Sequence, residues 1–401
     1  FGQKGLVGPY IGALETHLTK APHLVGGIKG LFEAAGLDGW QEDYQLLVEQ
    51  LERYQQWVDT VMRKHARQDS RLPVAIYADN LKNYGVDSTP EELMPVALYS
   101  YQLLRSEMQA LARQIAQNRG WKDEDLVSVI KQLKKQQLAP EDVLPLYRER
   151  LAAIEKIIER EDIVTMPERP ANIRLATEAE SAAIPASFMS QPQLINNTGQ
   201  YGEFVLVQSN PALGEESRMD DWSHDAITWA LTVHEARPGH ELQFARLVED
   251  GTSLARATYA MNSANAEGWG LYAESIMHEY LPLEGQLFSL YTRIMRAARL
   301  FLDPMVNTGQ LSREGARDFL VNELALSIPM ASSEADRYAF TAPGQATSYY
   351  YGYMALMSLR TEVELALGDE FNQRKFHDFI LRQGLLPPQL LREAVMDEFV
   401  R

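Results

Sequence analysis

Residues 231–243 read LTVHEARPGHELQ. The stretch opens like the zinc helix of a metalloprotease, with Glu235 directly after His234, but the second histidine, His240, follows six residues on rather than four. Each residue of a regular helix turns by about 100°, so positions i and i+4 share a side while i+6 points about 120° away. A straight helix therefore cannot bring both imidazoles to one ion. Pro238 and Gly239 change that expectation, because proline removes a backbone donor and clashes with the preceding turn while glycine tolerates unusual dihedrals. A two-residue bulge between Glu235 and His240 restores the i, i+4 relation, and bulged turns concentrate at functional sites. As plain helix interior the pair costs about 3 kcal/mol for the proline and about 1 kcal/mol for the glycine.

A third ligand is expected from a following helix. Residues 263–279, SANAEGWGLYAESIMHE, offer Glu267, with Glu274 seven residues later on nearly the same face. Two imidazoles, one carboxylate and an open position form a catalytic zinc arrangement, in which the pKa of a bound water falls toward ~7. Glu235 is then the general base. Glu274 orients a histidine ring or closes the pocket. The plainer reading leaves two histidines and a glutamate as hydrogen-bonded residues of amphipathic helices. His17, His23, His65, His224, His278 and His377 lack comparable sequence neighbours, and of these only His224 and His278 flank the motif helices.

A second cluster lies in residues 334–360, EADRYAFTAPGQATSYYYGYMALMSLR, where Tyr349, Tyr350, Tyr351 and Tyr353 crowd the first turns of a helix. One such phenol could reach an oxyanion, or all could cover a core edge with wet hydroxyls. Arg337 and Arg360 are candidates for a substrate carboxylate, against simple pairing with local acids.

The whole chain sets the frame. Its 401 residues are 45% hydrophobic and 23% charged, and 55 acids against 38 bases give a formal charge of −17, which removes phosphate-backbone binding as a main task. Without cysteine, zinc must be held by histidine and carboxylate. No apolar run approaches the ~18 residues of a membrane helix. The chain opens on Phe1, so an upstream signal or lipoprotein segment is expected. Helical periodicity marks 42–67, 90–118, 122–137 and 140–160, then 223–247, 256–280, 284–305, 312–327, 345–367 and 370–382. Thr89-Pro90-Glu91-Glu92 supplies a helix start. Pro167, Pro170, Pro185, Pro192 and Pro211 interrupt 163–216, where GEFVLVQSN (202–210) alternates like a strand. The expected fold is mainly α with one small sheet. Residues 1–162 form an N-terminal helical region, and 163–401 an irregular layer plus the metal-binding helices, as one integrated domain.

At these residues the sequence resembles the bacterial family known as "domain of unknown function 885". Its HExxPGHxxQ is matched by His234, Glu235, Pro238, Gly239, His240 and Gln243, and its EGWxxYxE by Glu267, Gly268, Trp269, Tyr272 and Glu274. ExxRYxxxPGQAxxYxxG is matched by Glu334, Arg337, Tyr338, Pro343, Gly344, Gln345, Ala346, Tyr349 and Gly352, and FHDFILRQGLLPPQLL is similar to the closing segment. The match is dense over about 225–395. The resemblance implies a helical fold like the gluzincin metallopeptidases, with a small sheet beside a deep cleft, His234, His240 and Glu267 as ligands, and Gln243 with Glu274 behind them. It selects Tyr349 among the tyrosines; Arg337, Tyr338, Gln345 and Arg360 are the candidate substrate-binding residues. It also implies a longer chain, and a histidine near the place where Asn307 stands.

The expected function is zinc-dependent hydrolysis of short peptides, with Glu235 as base and Tyr349 on the oxyanion. Two alternatives stand beside it: a silent envelope protein binding metal, peptide or glycan, and a metal-dependent amide or ester hydrolase. The expected location leans to the bacterial cell envelope, with the cytoplasm as the alternative.

Overall fold

The computed structural model describes residues 7–177, 186–207 and 219–401, with 180, 181 and 184. Phe1, Pro185, Pro211, the side chain of His23 and the expected strand beyond Val207 lie outside them.

Six helices come first: α1 (Ile11–Ala34), α2 (Gln41–Thr60), α3 (Val74–Asn83), α4 (Pro90–Arg119), α5 (Leu126–Lys134) and α6 (Pro140–Arg160). The start of α4 is a capping box: the Thr89 hydroxyl accepts from Glu92 N, and the Glu92 carboxylate accepts from Thr89 N. Gly120 ends α4 at φ 67°, a left-handed position that glycine takes without a Cβ penalty. Helices α1 and α3 were not anticipated by the periodicity.

The irregular layer holds β1 (Asn172–Leu175), β2 (Phe188–Ser190) and β3 (Glu203–Leu206) in the order β1-β3-β2. Strand β3 runs parallel to β1 and antiparallel to β2. Phe204, Val205 and Leu206 of β3 are buried in succession rather than alternately, while β1 is exposed at both ends and β2 is half-buried throughout, so neither carries a comparable apolar run.

Ten helices follow among the described residues: α7 (Asp225–Leu231), α8 (His240–Glu249), α9 (Leu254–Tyr259), α10 (Ser263–Met277), α11 (Leu283–Asn307), α12 (Arg313–Leu324), α13 (Ile328–Asp336), α14 (Thr347–Leu367), α15 (Gln373–Arg382) and α16 (Pro388–Ala394). Three expected helices are broken. The 223–247 segment parts between α7 and α8. The 256–280 segment parts at Asn262, whose side chain caps α10 by accepting from Asn265 N. The 312–327 segment stops at Leu324, after which Ala325 is left-handed and Ser327 caps α13.

One hydrophobic cluster runs from Tyr77 of α3 through α4, α5 and α6 to β3, α7, α11 and α14, so helices α3 to α6 share a core with α7, α11 and α14. A second cluster joins Ile154 and Ile158 to Trp269, Leu356, Phe376 and Val395. Helices α10 and α14 meet at glycine: a Cβ on Gly268 would lie 2.5 Å from the Gly352 carbonyl carbon, and one on Gly352 would lie 1.7 Å from Ala264 O. No helix among the described residues is long and apolar enough to cross a membrane.

Candidate metal centre

The odd spacing of His234 and His240 is resolved by a break, not by a bulge within one helix. After α7 the chain makes a π-helical turn, Thr232–Ala236, then Arg237 is extended at φ −123° and ψ 136°, the Arg237–Pro238 bond is cis, and α8 begins on His240. Gly239 is required by close approach, since a Cβ there would lie 1.9 Å from His234 O. The buried Arg237 holds the break: its Nε donates to Glu241 at 2.8 Å, Nη1 to Glu155 of α6 at 2.8 Å and Nη2 to Arg169 O at 3.0 Å. Trp269 of α10 fastens the same loop by donating from Nε1 to Pro238 O at 2.9 Å.

With the loop so held, the two imidazole centroids are 4.8 Å apart and nearly perpendicular, at 86°. Glu267 Oε2 lies 3.6 Å from His234 Nε2 and 3.4 Å from His240 Nε2. Ligand atoms of the three residues all fall within 4.8 Å of one another, a grouping that could hold a metal ion. Each histidine is braced at its other nitrogen. His234 Nδ1 meets Glu274 Oε1 at 2.7 Å, and Glu274 also accepts from the Thr292 hydroxyl of α11. His240 Nδ1 meets Gln243 Oε1 at 3.3 Å, and Gln243 donates to Asn265 Oδ1 at 3.3 Å. A carboxylate behind His234 puts its proton on Nδ1 and leaves Nε2 as the ligand atom. Gly270 makes room for that ring, because a Cβ there would come 2.5 Å from His234 Cε1.

The electrostatics suit a cation. Burial opposes a charged His234, but Glu267 and Glu274 outweigh it and raise its pKa to about 9. Burial likewise opposes charge on Glu267, and the two histidines nevertheless hold its carboxyl well below the usual range. Two buried nitrogen donors and one half-buried carboxylate match the donor set of a zinc site. Glu235 stands beside the ligands with Oε2 accepting from Met189 N of β2 at 2.9 Å, and burial raises its pKa. Tyr147 of α6 is fully buried close enough for the Glu235 charge to act on it.

The second motif lies across α11. Tyr349 is buried, and its hydroxyl accepts from Arg337 Nη2 at 2.9 Å. Arg337 also reaches Glu334 Oε1 at 3.2 Å and Gln345 Oε1 at 2.5 Å, and Gln345 donates to Ser263 Oγ at 2.9 Å. Burial works against the Arg337 charge, but Tyr349, Glu334 and Glu267 outweigh it. Arg337 and Gln345 thus stand together next to Tyr349. Tyr338 does not join them, because it is fully buried with its hydroxyl donated to Glu334 Oε2 at 3.0 Å. Arg360 is also elsewhere, eleven residues or roughly 16 Å further along α14, bonded to Glu364 at 2.6 Å and Tyr272 at 3.2 Å. Asn307, where a histidine was expected, donates to Asp303 Oδ1 at 3.1 Å and Tyr338 O at 3.0 Å, a structural post behind the 343–345 turn. His224 packs on Phe288 with centroids 4.5 Å apart, and burial lowers its pKa to about 3. His278 is likewise lowered to about 4 by burial, and neither it nor His224 contacts the motif histidines among the described residues.

Sequence reasoning missed Arg296 and Arg299 of α11. Their guanidinium carbons stand 5.7 and 4.6 Å from the Tyr349 ring centroid, with Arg337 at 5.2 Å. The available signal was TRIMRAARLF, arginines at three-residue steps in an otherwise apolar helix.

These features define a mainly helical protein with a His-His-Glu cluster that could hold a metal ion, its two histidines buried. The chain belongs to the family described as "Bacterial protein of unknown function (DUF885)", which matches residues 15–395. The fold is similar to that of a "putative lipoprotein of unknown function" from Shewanella oneidensis, with a TM-score of 0.78 and 18% identity over 98% of this chain and 74% of the other. It is also similar to a "putative lipoprotein" from Colwellia psychrerythraea, with a TM-score of 0.73 and 20% identity over 89% of this chain and 60% of the other. None of the curated proteins compared with the chain matches it.

Proposed function

We propose that the protein is a zinc-dependent hydrolase of peptide bonds in short peptides. The observation that carries this reading is the convergence of His234 Nε2, His240 Nε2 and Glu267 with Glu235 at their side. His234, His240 and Glu267 would hold the zinc, which would supply Lewis acidity and lower the pKa of a water toward ~7. Glu235 takes the proton of the attacking water and returns it to the leaving amine. Its raised pKa suits both transfers, and the Met189 N–H holds one carboxylate oxygen. Tyr349, held at its hydroxyl by Arg337, donates to the developing oxyanion. An amide or ester hydrolase would use the same groups. A silent binding protein has no use for Glu235 beside the three candidate ligands. The lipoprotein descriptions of the two fold neighbours favour the cell envelope as its location.

The test is elemental analysis of protein purified without chelator, alongside His240→Ala, followed by a quenched-peptide library. About one zinc per chain, lost in the variant, with cleavage of short peptides, is the expected result. No stoichiometric metal even after zinc is added back would sink the mechanism.

A further inference from the structure

Three guanidinium groups, those of Arg296, Arg299 and Arg337, surround the ring of Tyr349, and a single carboxylate, Glu334, is bonded among them. Arg299 spends Nε and Nη2 on Glu334 at 2.7 and 2.8 Å, which leaves Nη1 without a hydrogen-bond partner. Arg296 has less. Its Nη1 turns back to Thr292 O at 3.2 Å on its own helix, its Nε has no partner, and no carboxylate pairs with it among the described residues. Yet Arg296 is only 6% exposed and Arg299 only 3%. An unpaired buried charge is costly, and a leucine or methionine would fill either position without that cost. Arg296 also lies within electrostatic reach of the candidate centre: its charge acts on Glu274, Glu267 and Glu235 without bonding any of them.

We propose that Arg296, with Arg299 Nη1 and Arg337, is a carboxylate receptor beside the metal centre, reading the free C-terminal carboxylate of a short peptide. This rests on the hydrolase reading above and narrows it to an exopeptidase that works from that end. The planar guanidinium presents paired donors that match a carboxylate's two oxygens, which a lysine does not. Two free donor positions at adjacent arginines of α11 fit one such group. The ring of Tyr349, stacked among the same cations, ties the receptor to the oxyanion donor. A glutamate side chain offers the same chemistry, so the source of the carboxylate must be separated experimentally.

The experiment uses the zinc-loaded protein and one peptide in three forms: free C-terminus, C-terminal amide, and amide with an internal Gln replaced by Glu. Binding is measured by calorimetry on Glu235→Gln, and cleavage by mass spectrometry on the unaltered enzyme. A charge-assisted bidentate contact predicts that the free acid binds about 10- to 100-fold tighter than the amide. Residues should be released from the C-terminal end only. Arg296→Met should abolish the acid-to-amide preference, and Arg296→Lys, which keeps the charge, should restore only part of it. The unaltered enzyme's own preference needs no variant, so misfolding of either cannot protect the proposal. Equal cleavage of acid and amide at internal bonds would leave the hydrolase intact and overturn the receptor. Preference for the acid that depends on Arg296, without cleavage of any peptide, would support the receptor and overturn the hydrolase. Preference that follows the internal glutamate would overturn the terminal assignment.

Discussion

Helix α4 buries one stripe, Leu93, Ala97, Tyr101, Leu104, Met108, Ala112 and Ile115, and leaves Val96, Leu98, Tyr99 and Leu103 exposed. Its partner α11 is buried on nearly every side, and among the enclosed groups are Arg293, Arg296, Arg299 and Asp303. The first helix has water on one flank, so its charges need no partners. The second is enclosed by α4, α7, α14 and the π turn at Arg337–Thr341, so each of its charges must find a partner or a ligand. Arg299 finds Glu334, and Asp303 finds Tyr77 and Gly344 N. Apolar burial on α4 needs only packing, while polar burial on α11 needs a partner for every charge.

That contrast can be broken most sharply at Glu235. Glu235→Gln should lower peptide hydrolysis roughly 10²- to 10⁴-fold with zinc content unchanged; a change under tenfold would remove Glu235 as the base. Next comes Glu334→Gln, which strands Arg299 in the interior and should cost about 3–5 kcal/mol in denaturant unfolding. A cost below 1 kcal/mol would show that Arg299 does not depend on that carboxylate. On the α4 side, Met108→Ala should cost about 2–5 kcal/mol and leave zinc content unaltered. Loss of metal in that variant would mean that support and chemistry are not separable.

Asp303 sharpens the comparison through pH. Burial raises its pKa to about 7, above the ~3.9 of an unfolded aspartate. The folded state therefore binds the proton more tightly, and the resulting stability is full below about pH 4 and lost as pH rises through about 7. Asp303→Asn should flatten this segment of the stability–pH curve; an unchanged slope would assign the titration elsewhere. The smallest effect is expected at the surface, where Thr89→Ala removes half of the capping box and should cost about 1 kcal/mol, with activity intact.

Much of this was legible in one dimension because it is local. Periodicity disclosed α2, α4, α5 and α6, the Thr89 box is complete within four residues, and His234, Glu235, His240 and Glu267 stand out by residue type and spacing. The break at Pro238 and Gly239 was also foreseeable, though not its form as a gap between two helices held by Arg237 and Trp269. Helices α1 and α3, strands β1 and β2 and the stops at Asn262 and Ala325 were not, since their signals are short or compete with stronger ones.

Sequence alone thus determined the helical character and singled out the candidate ligands and the candidate base, because side-chain chemistry and helical repeat are properties of neighbouring residues. Only the tertiary structure decided that Glu274 braces His234, that Met189 N holds Glu235, that Tyr338 and Arg360 turn away from Tyr349, and that Arg296 and Arg299 turn toward it. A helix pattern states which residues share a face, whereas what that face meets is set by packing between segments far apart in the chain, here by the glycine crossing of α10 and α14 and the full enclosure of α11.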